Sequence, residues 1–331
     1  MNIVILDDYQ DAVRKLECAA RLDGCSIKVY TNTIKGVGQL AVRLRDAEVI
    51  VLLGDRTHIT QQLLSKLPKL RLIAQVGEIG PHIDVQACTD RRIAITTGSE
   101  CPFATAELTW ALIMAAMRRL PQYIAHLKHG AWQQSGFKAA SMPANFALGN
   151  GLRGRTLGIW GYGKIGKIVA GYGRAFGMHV CIWGSAASRA AAQQDGLSVT
   201  ESPEALFSTS DVLSLHLRLS PSTRHIVQAQ HLALMKPSAL LVNTAHAELI
   251  EGDALANALQ QGRPGLAAVD VYENEPILQG HTLLRMENCI CTPHLGFVEQ
   301  DSYEKHLGMA FDNIVNFMHG RPSHILNPQA L

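Results

Sequence analysis

The stretch that decides the fold is Leu157-Gly158-Ile159-Trp160-Gly161-Tyr162-Gly163-Lys164-Ile165-Gly166. Four strand-like residues run into three glycines spaced as G-x-G-x-x-G, and a helical pattern follows over residues 169–176. In such a turn the first glycine permits a tight bend, the second lets the backbone approach a pyrophosphate, and the third lets helix and strand pack closely. The helix N-terminus then faces the phosphates. The sequence therefore predicts a dinucleotide-binding turn at residues 161–166; glycines that serve a turn alone are the alternative, which the strand and helix on either side disfavour.

Short apolar runs alternate with longer helical patterns on both sides of this turn. One set predicts strands at residues 3–6, 28–30, 49–53, 72–75 and 93–96, and a second set at residues 157–160, 179–183, 212–215, 239–243, 267–270 and 290–292. Continuous apolar strands separated by helices are typical of a parallel sheet covered on both faces. The sequence therefore predicts an α/β protein with two doubly wound parallel-sheet domains, and 331 residues suffice for two cores.

Two further helices and a long connection complete the predicted elements. The helix over residues 104–119 is apolar enough to be either a core helix or a dimer contact. The polar stretch over residues 128–153 has no clear period, and a connection of that length is usually functional, so it is a candidate arm in a dimer. The last helix, residues 298–319, has an apolar stripe to bury, formed by Tyr303, Leu307, Phe311, Ile314 and Met318.

Composition excludes several classes of protein. Charged residues make up 18% of the chain and the net charge is +2, so neither nucleic acid nor an acidic membrane is expected as a partner. The first apolar residues run directly into Asp7 and Asp8 without a basic flank, which argues against a signal peptide. The longest apolar run, residues 110–117, is too short to cross a bilayer. A soluble protein is expected.

The seven cysteines are an odd number, spread widely along the chain. This pattern favours free thiols in a reducing, cytoplasmic compartment. Cys289 and Cys291 stand two apart in a strand-like run, and we expect them to point to opposite faces and not to share a metal. No metal site is predicted.

The choice between NAD and NADP depends on the end of the second strand of the nucleotide-binding set. A fingerprint of this kind expects an acidic residue about 20 positions on, which binds the ribose hydroxyls of NAD. The strand at residues 179–183 is instead followed by Gly184 and Ser185, with Ser188 and Arg189 close behind and no carboxylate. These side chains could donate to a 2′-phosphate, although Arg189 could equally be a solvated helix residue. NAD and NADP both remain open as cofactors.

Four more motifs follow or end strands of the second set. They are Asp211-Val212-Leu213-Ser214-Leu215-His216, Asn243-Thr244-Ala245-His246-Ala247, Asp270-Val271-Tyr272-Glu273-Asn274-Glu275-Pro276 and Thr292-Pro293-His294-Leu295-Gly296. With the glycine turn, they resemble the signature series of the D-isomer-specific 2-hydroxyacid dehydrogenases, which include phosphoglycerate, lactate and glyoxylate or hydroxypyruvate enzymes. The resemblance covers essentially the whole chain.

The resemblance implies a Rossmann nucleotide-binding domain at residues 101–297 and a flavodoxin-like substrate domain built from residues 1–100 and 298–331. Composition alone would place only one boundary, near residue 100. It also implies a homodimer and hydride transfer between a nicotinamide and a small 2-oxo acid or D-2-hydroxy acid, bound in a cleft between the domains. The rival hypothesis is a nucleotide-sensing binding protein or degenerate enzyme that keeps the nucleotide site.

In the family the catalytic histidine of the T-P-H-x-x-G motif corresponds to His294, and the acid before proline corresponds to Glu275. A carboxylate beside an imidazole favours its charged form, so His294 could hold the proton that a ketone oxygen needs as hydride arrives. Glu273 is the rival partner, and the spacing to Pro276 favours Glu275.

The resemblance also assigns contacts to the cofactor. It places Asp270 near the nicotinamide carboxamide and Leu215 and His216 near the ribose, although the family usually has proline where Arg218 stands. Asn243 and Thr244 belong to the strand-end loop on the cofactor side.

The resemblance places the substrate carboxylate at backbone amides of Val76, Gly77 and Glu78, and amide dipoles suit an oxyanion. Glu78 would repel an acid if it pointed inward, so we expect its side chain to face solvent. The largest departure is His246, which stands where the family carries an arginine that grips the 2-oxo acid. Imidazole offers at most two donors, and only when protonated.

Overall fold

The computed structural model describes residues 1–98, 102–133 and 148–331. The chain divides into two compact units. The first contains Met1–Cys101 and Phe297–Leu331, and the second contains Pro102–Gly296.

The first unit has a five-stranded parallel sheet in the order β2-β1-β3-β4-β5. Its strands are β1 (Asn2–Leu6), β2 (Ser26–Val29), β3 (Val49–Leu53), β4 (Leu72–Val76) and β5 (Ala94–Thr96). Its helices are α1 (Val37–Leu44), α2 (Gln61–Leu64), α3 (Val85–Asp90) and α11 (Gln300–Met318). This strand order is the flavodoxin-like one, so the prediction for this sheet is confirmed.

Each face of this sheet has its own core. Along β3, Ile50 and Leu52 pack into one hydrophobic cluster and Val49 and Val51 into another, as expected for residues that alternate between faces. Helix α11 covers the second face.

Helix α11 is shorter than predicted at both ends. The side chain of Glu299 accepts hydrogen bonds from the backbone amides of Asp301 and Ser302, which caps the helix and starts it at Gln300. Of the predicted apolar stripe, Met318 is 42% exposed, so the buried part ends one turn earlier, at Ile314.

The second unit has a seven-stranded parallel sheet in the order β12-β11-β10-β9-β6-β7-β8. Its strands are β6 (Thr156–Trp160), β7 (His179–Trp183), β8 (Ser198–Val199), β9 (Val212–Leu215), β10 (Leu240–Asn243), β11 (Leu266–Val269) and β12 (Cys289–Cys291). Its helices are α4 (Pro102–Met117), α5 (Leu120–Lys128), α6 (Lys164–Ala175), α7 (Ala186–Gln194), α8 (Pro203–Thr209), α9 (Ala229–Ala233) and α10 (Ala254–Gln260). Strand β8 was not predicted, because two residues carry no periodicity. The prediction of two parallel sheets flanked by helices is confirmed.

Helix α4 is a core helix. Trp110, Ile113 and Met117 are buried in the hydrophobic cluster that also contains Val169 of α6. Packing within the second unit therefore accounts for these apolar residues of α4. The proposed arm at residues 128–153 lies outside the described residues from 134 to 147.

The expectation that Cys289 and Cys291 point to opposite faces is wrong. Side chains two positions apart in a strand share a face, and the two Sγ atoms lie 3.7 Å apart. Both pack beside Tyr272 in a hydrophobic cluster. The six described cysteines are all free thiols.

No helix in the described part of the chain combines the length and the apolar character that a membrane crossing requires.

Candidate active site

The carboxyl ends of the parallel strands in the second unit form one edge, and the motif residues lie along it. In sheet order, the residues that follow or end these strands are His294 (β12), Asp270 (β11), Asn243 (β10), His216 (β9), Gly161 (β6) and Ser185 (β7). From β6, the next strands in the chain are added on one side of the sheet (β7, β8), and the later ones on the other side (β9 to β12), so the strand order switches between β6 and β9. In open α/β sheets ligands bind at such a switch point.

The glycine turn after β6 has the close contacts that its motif requires. Gly161 has a φ of +103°, and a Cβ there would lie 2.3 Å from the carbonyl oxygen of His216. A Cβ on Gly166 would lie 2.2 Å from the carbonyl oxygen of Gly161. At Gly163, by contrast, a Cβ would meet no atom within 4 Å. The turn is thus closed on the protein side and open above Gly163, which fits a dinucleotide phosphate.

The N-terminus of α6 completes this turn. Gly163 is the N-cap and supplies no side-chain cap, so helix amides after Lys164 can face an anion. Ile165 packs against the core. The Tyr162 hydroxyl donates to Asp195 Oδ2 at 2.9 Å, and burial raises the pKa of Tyr162 to about 12. The Tyr162 side chain therefore anchors the turn, which sequence analysis did not foresee because Asp195 is 33 residues away.

Arg189 lies in the first turns of α7, and its side chain reaches back to the end of β7. Its Nη1 donates to the carbonyl oxygen of Gly184 at 2.8 Å, and its guanidinium lies 4.5 Å from the centre of the Trp183 ring. Ser185 Oγ accepts from the backbone amide of Ser188 and caps α7. Arg189 is thus a half-buried cation of α7 whose side chain is held against the end of β7.

The ends of β9 and β10 hold residues whose side chains bond within the protein. His216 Nε2 lies 2.9 Å from Ser214 Oγ next to the buried Leu215, and burial lowers the pKa of His216 to about 4. Thr244 Oγ1 lies 2.7 Å from Thr109 Oγ1 of α4, a contact that the sequence did not signal. His216 is therefore neutral near pH 7. The side-chain contacts of His216 and Thr244 hold the ends of β9 and β10 in place.

Asn243 fixes the turn that carries His246. Its Nδ2 donates to the carbonyl oxygen of His246 at 2.8 Å, and its Oδ1 accepts from the backbone amide of Ala245 at 3.1 Å. The half-buried imidazole of His246 thus stands on a rigid turn at the carboxyl end of β10.

His294 and Glu275 form a direct pair. His294 Nδ1 lies 2.6 Å from Glu275 Oε2, and Glu275 Oε1 accepts from the backbone amide of Tyr272 at 3.1 Å. The carboxylate fixes a tautomer with the proton on Nδ1, so Nε2 is the nitrogen that can exchange a proton with a ligand. Glu273 instead lies 3.9 Å from Nε2 of His281.

Asp270 orients the turn of His294. Its Oδ1 accepts from the Thr292 hydroxyl at 2.6 Å and the Leu295 amide at 2.8 Å, and its Oδ2 accepts from the Gly296 amide at 2.8 Å. Burial raises the pKa of Asp270, against these bonds and the charge of His294. The resemblance suggested a cofactor contact for Asp270, and the structure shows in addition that it positions the T-P-H-x-x-G turn.

A loop at the end of β4, residues 76–80 and here called the β4 loop, belongs to the first unit. Gly77 has a φ of +85°, and its carbonyl oxygen accepts from Gly98 N at 2.8 Å. No described residue accepts a hydrogen bond from the backbone N–H of Gly77, Ile79 or Gly80. The Glu78 side chain is exposed. Such a set of backbone donors can bind a carboxylate.

Among residues 1–98, 102–133 and 148–331, no three histidine, cysteine or carboxylate side chains lie together as metal ligands would.

Comparison with known proteins assigns the family. The family described as "D-isomer specific 2-hydroxyacid dehydrogenase, NAD binding domain" matches residues 110–296. A glyoxylate reductase from Aeropyrum pernix is 37% identical over 88% of this chain and 86% of its own length. This chain belongs to the D-isomer-specific 2-hydroxyacid dehydrogenase family.

Solved structures agree with this family assignment. A candidate D-3-phosphoglycerate dehydrogenase oxidoreductase from Ralstonia solanacearum is 57% identical, with a TM-score of 0.96 over 100% of this chain and 98% of that one. A phosphoglycerate oxidoreductase from Vibrio cholerae is 46% identical, with a TM-score of 0.92 over 97% of this chain and 99% of that one. The chain is an NAD-dependent 2-hydroxyacid dehydrogenase-like oxidoreductase, and the prediction of an enzyme is confirmed.

Proposed function

We propose that this dehydrogenase interconverts a small 2-oxo acid and the corresponding D-2-hydroxy acid, with His294 as the proton-transferring residue. The observation that carries the proposal is the 2.6 Å contact between His294 Nδ1 and Glu275 Oε2, at the sheet edge that also bears the glycine turn. A bound nicotinamide dinucleotide supplies or accepts the hydride. The second unit would then be the nucleotide-binding domain and the first the substrate domain.

In the reductive direction, His294 Nε2 gives a proton to the carbonyl oxygen of the substrate. Glu275 holds Nδ1 and offsets the charge of the imidazolium, while Asp270 keeps the turn of His294 in place. In the oxidative direction the same nitrogen accepts the hydroxyl proton. The β4 loop, which includes Val76, Gly77 and Glu78, would bind the substrate carboxylate through backbone amides. His246 would replace the forked cation of the family with a single imidazole.

The experiment that tests this function is a screen of 2-oxo acids with reduced cofactor, followed by the absorbance of the nicotinamide. Glyoxylate, hydroxypyruvate and pyruvate are the first candidates, and turnover of at least one 2-oxo acid is expected. Relatives named as reductases and dehydrogenases favour the enzyme over a nucleotide-sensing binder. Cofactor binding without turnover of any acid would instead support the binder.

The match of residues 110–296 to the family's NAD-binding domain supports NAD as a cofactor. We propose that the protein also accepts NADP. Arg189 is held at the end of β7 by Gly184 and Trp183, where it can bond a 2′-phosphate. Ser185 directly precedes α7 and could add a second donor.

Ser185→Asp is expected to lower NADPH affinity by about 10- to 100-fold while NADH affinity is kept, because a carboxylate repels the phosphate and accepts from ribose hydroxyls. Aspartate also caps a helix well, so α7 should be preserved. Gly184 is a poor site for this change, since its φ is +159° and a Cβ would lie 3.1 Å from the Ser188 Cβ. Fluorescence titration with both cofactors measures the change.

Arg174→Gln, at the exposed C-terminal end of α6, is the control for charge alone. A wild-type protein that binds NADH much more tightly than NADPH, and an Arg189→Gln variant with unchanged NADPH affinity, would remove Arg189 from cofactor recognition.

We also propose that the protein is a homodimer through α5. This helix has no buried residue, and Leu120, Ile124 and Leu127 form a stripe with exposures of 46%, 53% and 57%. Trp132 and Leu148 are exposed beyond it. An exposed apolar stripe of this kind marks an interaction surface, and a stripe without a carboxylate is self-complementary about a two-fold axis.

Ile124→Glu combined with Leu127→Glu is expected to convert a dimer into a monomer, measured by sedimentation velocity at micromolar concentration. Leu278→Glu, at another exposed leucine of the same unit, should leave the dimer intact. A wild-type chain that sediments as a monomer would refute the dimer proposal, and a dimer unaffected by the double change would move the interface elsewhere.

The six free thiols support a reducing compartment, and we propose the cytoplasm.

A further inference from the structure

Two buried polar side chains stand at the two ends of the β4 loop. Gln75 is the residue before the loop, at 1% exposure, and His82 lies two residues after it, at 3%. Gln75 Oε1 and His82 Nε2 are 3.1 Å apart, so a single hydrogen bond joins both ends of the loop.

The orientation of Gln75 decides where the proton of His82 lies. The amide nitrogen of Gln75 donates to the carbonyl oxygens of Val76, at 3.0 Å, and Gly54, at 3.4 Å. Its Oε1 therefore faces His82 as an acceptor, and His82 Nε2 must be the donor. The backbone of His82 is fixed as well, because its carbonyl oxygen accepts from Ile59 N at 2.8 Å.

The other ring nitrogen of His82 faces the end of β3. Nδ1 lies 3.2 Å from Asp55 Oδ1. The second oxygen of Asp55 packs against the loop itself, since a Cβ on Gly80 would lie 2.3 Å from Asp55 Oδ2. A neutral ring with its proton on Nε2 offers Asp55 no donor, so the contact of Nδ1 with Asp55 is not a hydrogen bond and the ring connects only the two ends of the β4 loop.

The charge state of His82 follows from its surroundings. Burial lowers the pKa of His82, His58 lowers it further, and the Asp55 carboxylate opposes both. The ring is therefore neutral near pH 7, with its one proton on Nε2 and the hydrogen bond to Gln75 in place. Asp55 and His58 are the titratable groups that face it.

A buried polar pair needs an explanation here, because burial of polar groups costs free energy that apolar side chains of similar size would not. Packing alone would be served by apolar residues at both positions. Apolar residues could not hold the two carbonyl oxygens and both ends of the loop in fixed positions. Backbone N–H donors need such a fixed backbone in order to converge on one anion.

We propose that His82 and Gln75 are positioning residues that hold the β4 loop in the shape that binds the substrate carboxylate. This inference rests on the proposed function, in which the β4 loop binds that carboxylate. In this proposal, His82 and Gln75 contribute to the affinity for the acid and take no part in proton or hydride transfer.

The test compares His82→Leu with His82→Gln. Leucine removes the donor and leaves Gln75 Oε1 without its partner, so the KM for the preferred 2-oxo acid should rise about 10- to 100-fold with kcat little changed. The amide N–H of a glutamine can take the place of the His82 Nε2–H donor, so His82→Gln should restore most of the lost affinity. His58→Leu, which removes an exposed neighbouring imidazole, is the matched control and should leave KM unchanged.

Oxalate binding by calorimetry reports the β4 loop independently of turnover. The wild type and His82→Gln should bind oxalate, and His82→Leu should bind it about 10- to 100-fold more weakly with unchanged NADH affinity. Equal oxalate affinity in wild type and His82→Leu, or an equal loss in the leucine and glutamine variants, would overturn the positioning role. A wild type that binds oxalate through this pair but reduces no 2-oxo acid would contradict the proposed function and leave the positioning role standing.

Discussion

Replacing His294 with asparagine is expected to lower kcat by about 10²- to 10⁴-fold, the usual contribution of general acid–base catalysis. Because Nδ1 of His294 bonds Glu275 at 2.6 Å, we assign the transferred proton to Nε2. The glycine turn after β6 does not depend on this side chain, so the dissociation constant of the cofactor should be nearly unchanged. Steady-state kinetics and fluorescence titration measure the two quantities.

The control for His294→Asn is His179→Asn, because His179 is exposed at the amino end of β7, on the opposite edge of the same sheet. That variant should retain wild-type kcat. Glu275→Gln should fall between the two, since an amide still orients the ring but no longer offsets its charge. Full activity of His294→Asn would remove His294 from catalysis.

The second large effect is a gain. His246→Arg is expected to raise kcat/KM for simple 2-oxo acids by about 10²-fold, because a forked cation can make two charge-assisted hydrogen bonds of about 1.5–3 kcal/mol each. The turn that carries residue 246 is held by Asn243, so the new side chain starts from a fixed backbone. The buried Ala247, where the family has glycine, limits the gain if it restricts the swing of the arginine.

His246→Gln is the control for His246→Arg, since it offers a neutral donor without the fork. A gain on simple acids with a loss on the preferred acid would show that His246 is an adaptation to another substrate. No change on any 2-oxo acid, in a folded variant that binds cofactor, would separate position 246 from substrate binding.

The sequence predicted those features that depend on local backbone requirements. Gly161 and Gly166 are necessary because neighbouring carbonyl oxygens lie where a Cβ would be, and such constraints appear as spaced glycines. The parallel strands other than β8 were predicted from their apolar runs, within one or two residues at their ends. The contact of Glu275 with His294 was predicted from motifs that a whole family shares.

The sequence could not reveal contacts that are made only by the folded chain. The bond of Tyr162 to Asp195 and that of Thr109 to Thr244 join distant positions without a motif. The pair Gln75 and His82 is closer in sequence, but nothing in its residue types distinguishes a structural bond from solvated side chains. The role of α4 was also ambiguous, because a helix buried in a core and a helix buried in an interface have the same apolar sequence pattern.

The most direct test of the central claim follows the hydride itself. The wild-type protein is given a 2-oxo acid that it turns over, such as pyruvate or hydroxypyruvate, and reduced cofactor deuterated at C4 of the nicotinamide. Chiral chromatography with mass detection then gives the configuration and the label of the product. The account predicts the D-2-hydroxy acid with a single deuterium at C2, whereas an L-hydroxy acid, or cofactor binding with no labelled acid formed from any member of a 2-oxo acid panel, would contradict it.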